Sequence, residues 1–150
     1  MTAAAVQGSF LGEFAHALDD KGRLTVPSKF RAALGEAFVV TRGLDGCLFC
    51  YPQATWDGIA GKLDSLPFTA TVPRTFARLF FSGAVEVSVD RQGRFLVPAG
   101  LRRHAALEKD AVVIGVSSRV EIWSRDRWEA FCSAAEPEYQ ALAEQLFRGQ

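Results

Sequence analysis

The stretch Leu18–Pro27, LDDKGRLTVP, occurs a second time as Val89–Pro98, VDRQGRFLVP. When Gly22 is aligned with Gly93, Asp19, Arg23 and Pro27 coincide with Asp90, Arg94 and Pro98. The offset between the copies is close to half of the 150-residue chain. The sequence therefore predicts two similar halves, each built around one copy of this stretch.

Each copy contains a D-x-x-G core that is typical of a tight turn. Asp is favoured at the first position of a type I turn because its carboxylate accepts bonds from nearby backbone N–H groups, and Gly is favoured at the fourth. A type I turn followed by a left-handed Gly closes a hairpin with a bulge. Apolar residues alternate on both sides of each core, so we predict that Asp19–Gly22 and Asp90–Gly93 are tips of β-hairpins.

An arginine follows the glycine in both copies, and turn geometry does not require it there. The guanidinium of Arg23 or Arg94 suits a carboxylate, a phosphate or the edge of a guanine base. A lone arginine at this place could equally be a solvated residue that guards a strand edge. Because it recurs beside further basic residues, we favour a ligand-facing role for both.

The overall composition indicates a folded protein without a bulk charge bias. Hydrophobic residues make up 49% of the chain, including 12 Phe and 3 Trp, and charged residues make up 23%. The 17 basic and 17 acidic residues cancel, which argues against gripping nucleic acid by total charge. The segments Asp19–Arg31 and Asp90–Arg103 are nevertheless locally positive.

Cellular location is constrained by the cysteines and by the hydropathy pattern. Three cysteines without a framework spacing suit a reducing cytosol. The N-terminal segment lacks the basic start of a secretory signal, and no apolar run approaches the roughly 20 residues needed to cross a bilayer. We therefore expect a cytoplasmic protein without a membrane partner.

The order of predicted elements in each half is strand, turn, strand, short helix, strand, strand, helix. We expect short strands of this kind to interleave and to close a barrel that removes exposed edges. The fold class is thus α+β, mainly β, with short flanking helices, and an apolar stripe on the last helix suggests subunit contacts. The predicted segments are a flexible N-terminal tail (1–11), repeat 1 (12–63), a connecting segment with a helix (64–83), repeat 2 (84–132) and a C-terminal helix (133–150).

No pattern for catalysis, metal binding or a cofactor stands out. Cys47 and Cys50 have C-x-x-C spacing, but their flanks predict a strand, which places them on opposite faces. A zinc site needs about four ligands, and the remaining cysteine and histidines are scattered. Phosphate-loop and nucleophile-elbow motifs are missing. We expect no enzyme activity, no cofactor, no metal and no small-molecule substrate.

The two D-x-x-x-R motifs, Asp19–Arg23 and Asp90–Arg94, resemble those of the MraZ family of bacterial transcriptional regulators, which carries one motif per repeat. Further likenesses are GRLTVP at 22–27, FVVTRGLDG at 38–46 and VEIW at 120–123. The resemblance covers about Gly12 to Phe131. It says nothing about the residues before Phe10 or about the long C-terminal segment.

The resemblance implies two AbrB-like repeats that form a swapped-hairpin DNA-binding domain. It also implies a ring-forming homo-oligomer, cytoplasmic and associated with the nucleoid, that binds direct repeats in double-stranded DNA at the promoter of the division and cell wall cluster, including its own gene. By this resemblance Arg23 and Arg94 contact DNA, while Asp19 and Asp90 form the turns or orient the arginines.

The other basic residues of the two locally positive segments are expected to hold phosphate: Lys21, Lys29, Arg31, Arg91, Arg102 and Arg103. The rival hypothesis is a ring-forming structural or protein-binding module with no specific DNA readout. In that case the arginines would contact acidic partners, and any DNA binding would vanish at moderate salt.

Overall fold

The structure, a computed structural model, describes residues 10–148. In the first half the elements are β1 (Phe10–Ala17), β2 (Arg23–Thr25), α1 (Ser28–Leu34), β3 (Ala37–Arg42), β4 (Leu48–Pro52) and α2 (Gln53–Asp64). Helix α3 (Thr71–Ser82) connects the halves. In the second half they are β5 (Val85–Ser88), β6 (Arg94–Leu96), α4 (Ala99–His104), β7 (Asp110–Ser117), β8 (Arg119–Ser124) and α5 (Arg125–Ala135), followed by a 3-10 turn (Glu136–Glu138) and α6 (Tyr139–Leu146).

The element order of the two halves agrees with the sequence-based expectation, with differences at the ends. Strand β1 begins at Phe10, inside the segment predicted to be a tail, and residues 1–9 lie outside the described part. Helix α3 begins at Thr71 and carries Pro73 in its first turn, where a missing N–H costs nothing. Ser124 caps α5 by accepting a hydrogen bond from the Arg127 N–H at 3.2 Å.

The halves are interleaved by strand pairing. Six strands form one antiparallel sheet in the order β1-β7-β8-β4-β3-β5, and β2 and β6 pair in a second, two-stranded sheet. Strand β1 of the first half pairs with β7 of the second half, and β5 of the second half pairs with β3 of the first. Each half therefore completes the sheet of the other.

Two features of the predicted fold are corrected by this pairing. The turns do not close β-hairpins, since β1 pairs with β7 and β2 pairs with β6. A strand of three residues can form only a few backbone hydrogen bonds within its own half. Pairing of β2 with β6 brings Leu24 opposite Phe95, and both side chains are buried. The expected barrel is not closed among the described strands, where β1 and β5 are the edges of the six-stranded sheet.

The large sheet carries an apolar core on each face. The inner core lies between this sheet and the layer of β2, β6, α1 and α4, and it includes Phe30, Phe38, Phe95 and Leu101. The outer core is covered by α2, α3 and α5. Since the inner core joins side chains of both halves, it fixes the position of the two turns at the ends of β2 and β6.

The two C-x-x-C cysteines lie on opposite faces of the sheet, as predicted. Cys47 belongs to the outer core and Cys50 to the inner core. Burial raises the pKa of the Cys47 thiol to about 12 and raises the pKa of the Cys50 thiol as well. Both thiols are therefore protonated apolar packing groups at neutral pH.

Candidate nucleic-acid interface

The side chain of Asp19 organises the first turn. The Gly22 N–H donates to the Asp19 carbonyl at 3.0 Å, which closes the turn. Asp19 Oδ1 accepts hydrogen bonds from the N–H groups of Lys21 at 3.0 Å and Arg23 at 2.8 Å. Gly22 has φ of +83°, a conformation in which a Cβ would be strained. The Asp and Gly of the motif are thus both required by the backbone path.

The same carboxylate also holds the arginine of the motif. Arg23 Nε donates to Asp19 Oδ2 at 2.7 Å. The arrangement repeats in the second half, where Arg94 Nε donates to Asp90 Oδ2 at 3.2 Å and Asp90 Oδ1 accepts from the Arg94 N–H at 2.9 Å. Each aspartate therefore forms the turn and orients the arginine at the same time.

The electrostatics of the turns keep both carboxylates ionised. The hydrogen bond from the Arg23 N–H, supported by the guanidinium, lowers the pKa of Asp19 to about 2. The Arg94 N–H is the main cause of a lowered pKa at Asp90. Ionised carboxylates are the stronger acceptors for a guanidinium, so each arginine is held by a charge-assisted bond at neutral pH.

The two turns lie side by side as one unit. In the β2–β6 ladder Thr25 stands opposite Arg94, and beyond it the Val26 N–H donates to the Gly93 carbonyl at 2.8 Å. A matching bond of 3.0 Å runs from the N–H of Val97 to the carbonyl of the glycine in the first turn. We call residues 19–26 and 90–97 together the turn pair.

Two arginines on the short helices brace the turn pair across the halves. Arg31 Nε donates to the Val26 carbonyl at 3.0 Å, and its guanidinium lies where a Cβ on Gly93 would be. Arg102 bonds the equivalent carbonyl of the second half and occupies the corresponding space beside Gly22. Each glycine is therefore needed both for its backbone conformation and for the close approach of an arginine from the other half.

Lys21 and Arg91, two of the predicted phosphate-holding residues, lie within the turn pair, and the other four lie on α1 and α4. Arg31 and Arg91, from different halves, line a cleft of about 380 Å³ together with Asp90. Arg102 and Arg103 line a second cleft of about 390 Å³. The two remaining predicted residues, Lys21 and Lys29, are exposed and line neither cleft.

Sequence reasoning found the residues of the turn pair but missed how they meet. It assigned Arg31 and Arg102 to phosphate alone and did not connect them to the turn glycines. The repeated glycine was the only sign in the sequence that another group comes close to each turn, and the turn itself already explains a glycine there. The second reason for glycine, a guanidinium from the opposite half, depends on strand pairing that the sequence does not specify.

Two kinds of feature are absent from residues 10–148. No group of three or more His, Cys, Asp or Glu side chains within them could hold a metal ion. Within the same residues, none of the helices has the length and apolar character to cross a membrane.

Comparison with known proteins identifies the family. The family model described as "MraZ protein, putative antitoxin-like" matches residues 9–79 and again residues 80–148. The chain is 58% identical to the transcriptional regulator MraZ of Heliobacterium modesticaldum and 56% identical to that of Moorella thermoacetica, each over 91% of this chain and 96% of the relative. The relative from Pelotomaculum thermopropionicum is 55% identical over 91% of this chain and 94% of its own length. The chain therefore belongs to the MraZ family.

Proposed function

We propose that this protein is a sequence-specific regulator of transcription that binds double-stranded promoter DNA through the turn pair. The observation that carries the proposal is the repeated Asp–Arg arrangement on adjacent turns, where Arg23 and Arg94 are held yet remain 31% and 27% exposed. An unliganded surface gains little from orienting two arginines in this way. Family membership, and the identity of the relatives as transcriptional regulators, support the same function.

The chemistry fits recognition in the major groove. A two-stranded element can enter that groove, which is about 12 Å wide, and an arginine can read guanine through its O6 and N7 atoms. Arg23 and Arg94 are the proposed base readers. The six flanking basic residues are proposed to hold phosphate, which sets the register but carries no sequence information: Lys21, Lys29, Arg31, Arg91, Arg102 and Arg103.

The proposed target is the promoter of the division and cell wall cluster, including the gene of this protein, in the cytoplasm at the nucleoid. This part rests on family membership. Because the chain has no net charge, one copy has little general attraction to DNA. A homo-oligomeric ring that presents several turn pairs to direct repeats would gain affinity through effective concentration instead.

Exposed apolar residues on two helices support self-association. On α3 and the turn before it the exposed side chains are Phe68, Val72, Phe76 and Leu79, and on α6 they are Tyr139, Leu142 and Leu146. We call these the α3 face and the α6 face. Such stripes on a folded chain mark interaction surfaces. They also support the rival function, a protein-binding ring without DNA readout.

Arg23→Ala is the variant that tests DNA recognition. Loss of a bidentate guanine contact is expected to weaken binding to the protein's own upstream DNA by about tenfold or more while binding to shuffled DNA changes little. Fluorescence anisotropy at two salt concentrations measures both. Arg125→Ala is the control, since Arg125 is exposed on α5 and pairs with Asp110 and Glu129 away from the turn pair.

The alternatives predict different results in this experiment. If the parent protein prefers its own upstream DNA at both salt concentrations and Arg23→Ala loses that preference, the proposal stands. If parent and variant bind both DNAs equally and release them at the higher salt, the protein-binding ring is the better account. If the variant keeps the parent's preference, Arg23 is not a reader.

A further inference from the structure

The two halves of the turn pair are alike in sequence but unequal in their ion pairs. Asp19 Oδ2 lies 2.7 Å from Arg23 Nε and also 3.6 Å from Arg94 Nη1, which belongs to the other half. Asp90 pairs with Arg94 alone among the described residues, at 3.2 Å. One carboxylate therefore faces both arginines, and the other faces one.

This asymmetry changes how many donors each arginine can offer to a ligand. Arg23 uses its Nε and its backbone N–H on Asp19, and neither Nη nitrogen has an acceptor in residues 10–148. Arg94 has its Nε on Asp90 and one Nη nitrogen turned towards Asp19. Bidentate recognition of a base needs two donors in a fixed fork, so Arg23 is the freer of the two.

The cross-half approach follows from the way the turns pair. Arg94 stands opposite Thr25 in the β2–β6 ladder, which carries its side chain towards the first turn. The glycine carbonyls and the two bracing arginines hold that alignment from both sides. A change at Asp19 is thus felt at both turns, whereas a change at Asp90 is confined to the second.

We infer that Asp19 is a shared positioning residue: it sets the guanidinium groups of Arg23 and Arg94 together and so couples the two turns into one recognition element. This inference rests on the proposed DNA-binding function and deepens it. Asp19 touches no base itself. It acts through the two arginines, and Asp90 acts through Arg94 only.

The matched variants are Asp19→Asn and Asp90→Asn. Asparagine keeps an oxygen that accepts the backbone bonds of the turn, so the turn is retained while the charge that holds the guanidinium is lost. Both variants remove one negative charge near the DNA, so their change in general attraction to DNA is the same. We expect Asp19→Asn to lose about threefold more affinity for the protein's own upstream DNA than Asp90→Asn, the scale of one partly exposed ion pair.

A measurement without DNA separates this inference from the proposed function. In nitrogen–proton NMR spectra of the full protein, Asp19→Asn should shift the Nε–Hε signals of both Arg23 and Arg94. Asp90→Asn should shift the Arg94 signal and leave that of Arg23 in place. A purely structural role for Asp19 in the first turn would not move the Arg94 signal.

Each outcome has a defined meaning. If Asp19→Asn leaves the Arg94 signal unmoved, the two turns are not coupled and the inference is overturned. If the signal moves but both variants lose the same affinity, the coupling is not used for DNA and the inference is also overturned. If the parent protein shows no preference for its own upstream DNA, the proposed function fails, while the NMR result still decides whether Asp19 serves both arginines.

Discussion

A single carboxylate at each turn serves both the backbone and the arginine, and this shared role has a pH signature. The pKa of Asp19 falls from its ordinary value of 3.8 to about 2 on folding, chiefly through the Arg23 N–H. As the pH drops below about 4, the unfolded chain takes up the proton before the folded protein does. The contribution of Asp19 to stability is therefore complete above the ordinary pKa and is lost as the pH falls through about 2.

The prediction concerns the difference in free energy of unfolding between the parent and Asp19→Asn. We expect the parent to be the more stable at neutral pH and the difference to shrink as the pH approaches 2, because the carboxylate becomes protonated in both states. Urea unfolding at a series of pH values measures it. The control is Asp64→Asn at an exposed position of α2. A difference that stays constant with pH would contradict the assignment.

At the residue scale the sequence predicted the turns correctly, because Asp and Gly in this spacing rarely have any other structural role. Aspartate and glycine in a D-x-x-G core predict a turn, and the structure has that turn in both halves. The role of Asp19 towards Arg94 could not be predicted. It depends on a contact between residues from different halves, and neither residue type nor spacing encodes such a contact.

At the scale of elements, each short strand is stabilised by pairing with the equivalent strand of the other half. Strands β2 and β6 have three residues each and pair only with each other among the described strands. Their apolar residues Leu24 and Phe95 are opposite one another and buried. The turn glycines continue this ladder through their carbonyls, so a change at either glycine affects backbone and packing together.

Gly22→Ala tests this double requirement. A Cβ at φ of +83° is strained and would meet the guanidinium of Arg102, so we expect a loss of about 1–3 kcal/mol in the free energy of unfolding. The matched control is Gly58→Ala in α2, where a Cβ meets nothing within 4 Å. That control should gain about 0.5–1 kcal/mol, since Gly destabilises a helix interior.

Denaturant unfolding of both glycine variants distinguishes the explanations. If Gly22→Ala is as stable as the parent, the turn is not held in the left-handed conformation by its surroundings. A third variant, Gly22→Ala with Arg102→Ala, is compared with Arg102→Ala alone, because Arg102 also bonds the Val97 carbonyl. A smaller cost of Gly22→Ala in the Arg102→Ala protein would assign the remaining loss to backbone strain.

The elements themselves were predictable, whereas their pairing was not. Apolar alternation and the positions of Pro and Gly predicted the order of strands and helices in both halves, and the structure has that order. The hairpin prediction failed because a turn specifies that the chain reverses but not which strand each arm joins. A three-residue strand has too few side chains to specify its partner.

At the scale of the whole molecule, the interleaved halves leave two exposed apolar faces of opposite charge. Arg74 and Arg78 lie on α3. Glu136 and Glu138 lie in the exposed 3-10 turn that leads directly into Tyr139 of the α6 face. Opposite charges around apolar centres favour contact between the α3 face of one copy and the α6 face of the next. Such a head-to-tail contact between different faces closes into a ring when the rotation permits.

Hydrophobic residues make up 49% of the chain, and the structure exposes some of them at these two faces. What the sequence could not supply was the separation of the faces. A helical stripe predicts a buried side, and only the packing of α3 against the sheet shows that Phe80 is buried while Val72 stays 79% exposed. The contact between the α3 face of one copy and the α6 face of the next can therefore be predicted from the structure but not from the sequence.

Charge reversal on the two faces gives the test. We expect the parent to be oligomeric by light scattering, and Arg78→Glu or Glu138→Arg to weaken assembly, since each places like charges across the contact. Leu44→Glu is the control, at a side chain that is 60% exposed on the β3–β4 turn and outside both faces. The mixture of the two charge variants is the decisive sample. In it, the reversed α3 face of one variant can meet the reversed α6 face of the other.

In that mixture the α3 face of the Arg78→Glu protein meets the α6 face of the Glu138→Arg protein with opposite charges restored. The other face of each variant is unchanged, so a head-to-tail contact predicts mixed assemblies larger than either variant forms alone. A contact between two α3 faces would instead leave the α6 variant, whose α3 face is unchanged, as oligomeric as the parent. A monomeric parent would remove the ring altogether, and with it the gain in affinity that a chain without net charge needs to hold spaced DNA sites.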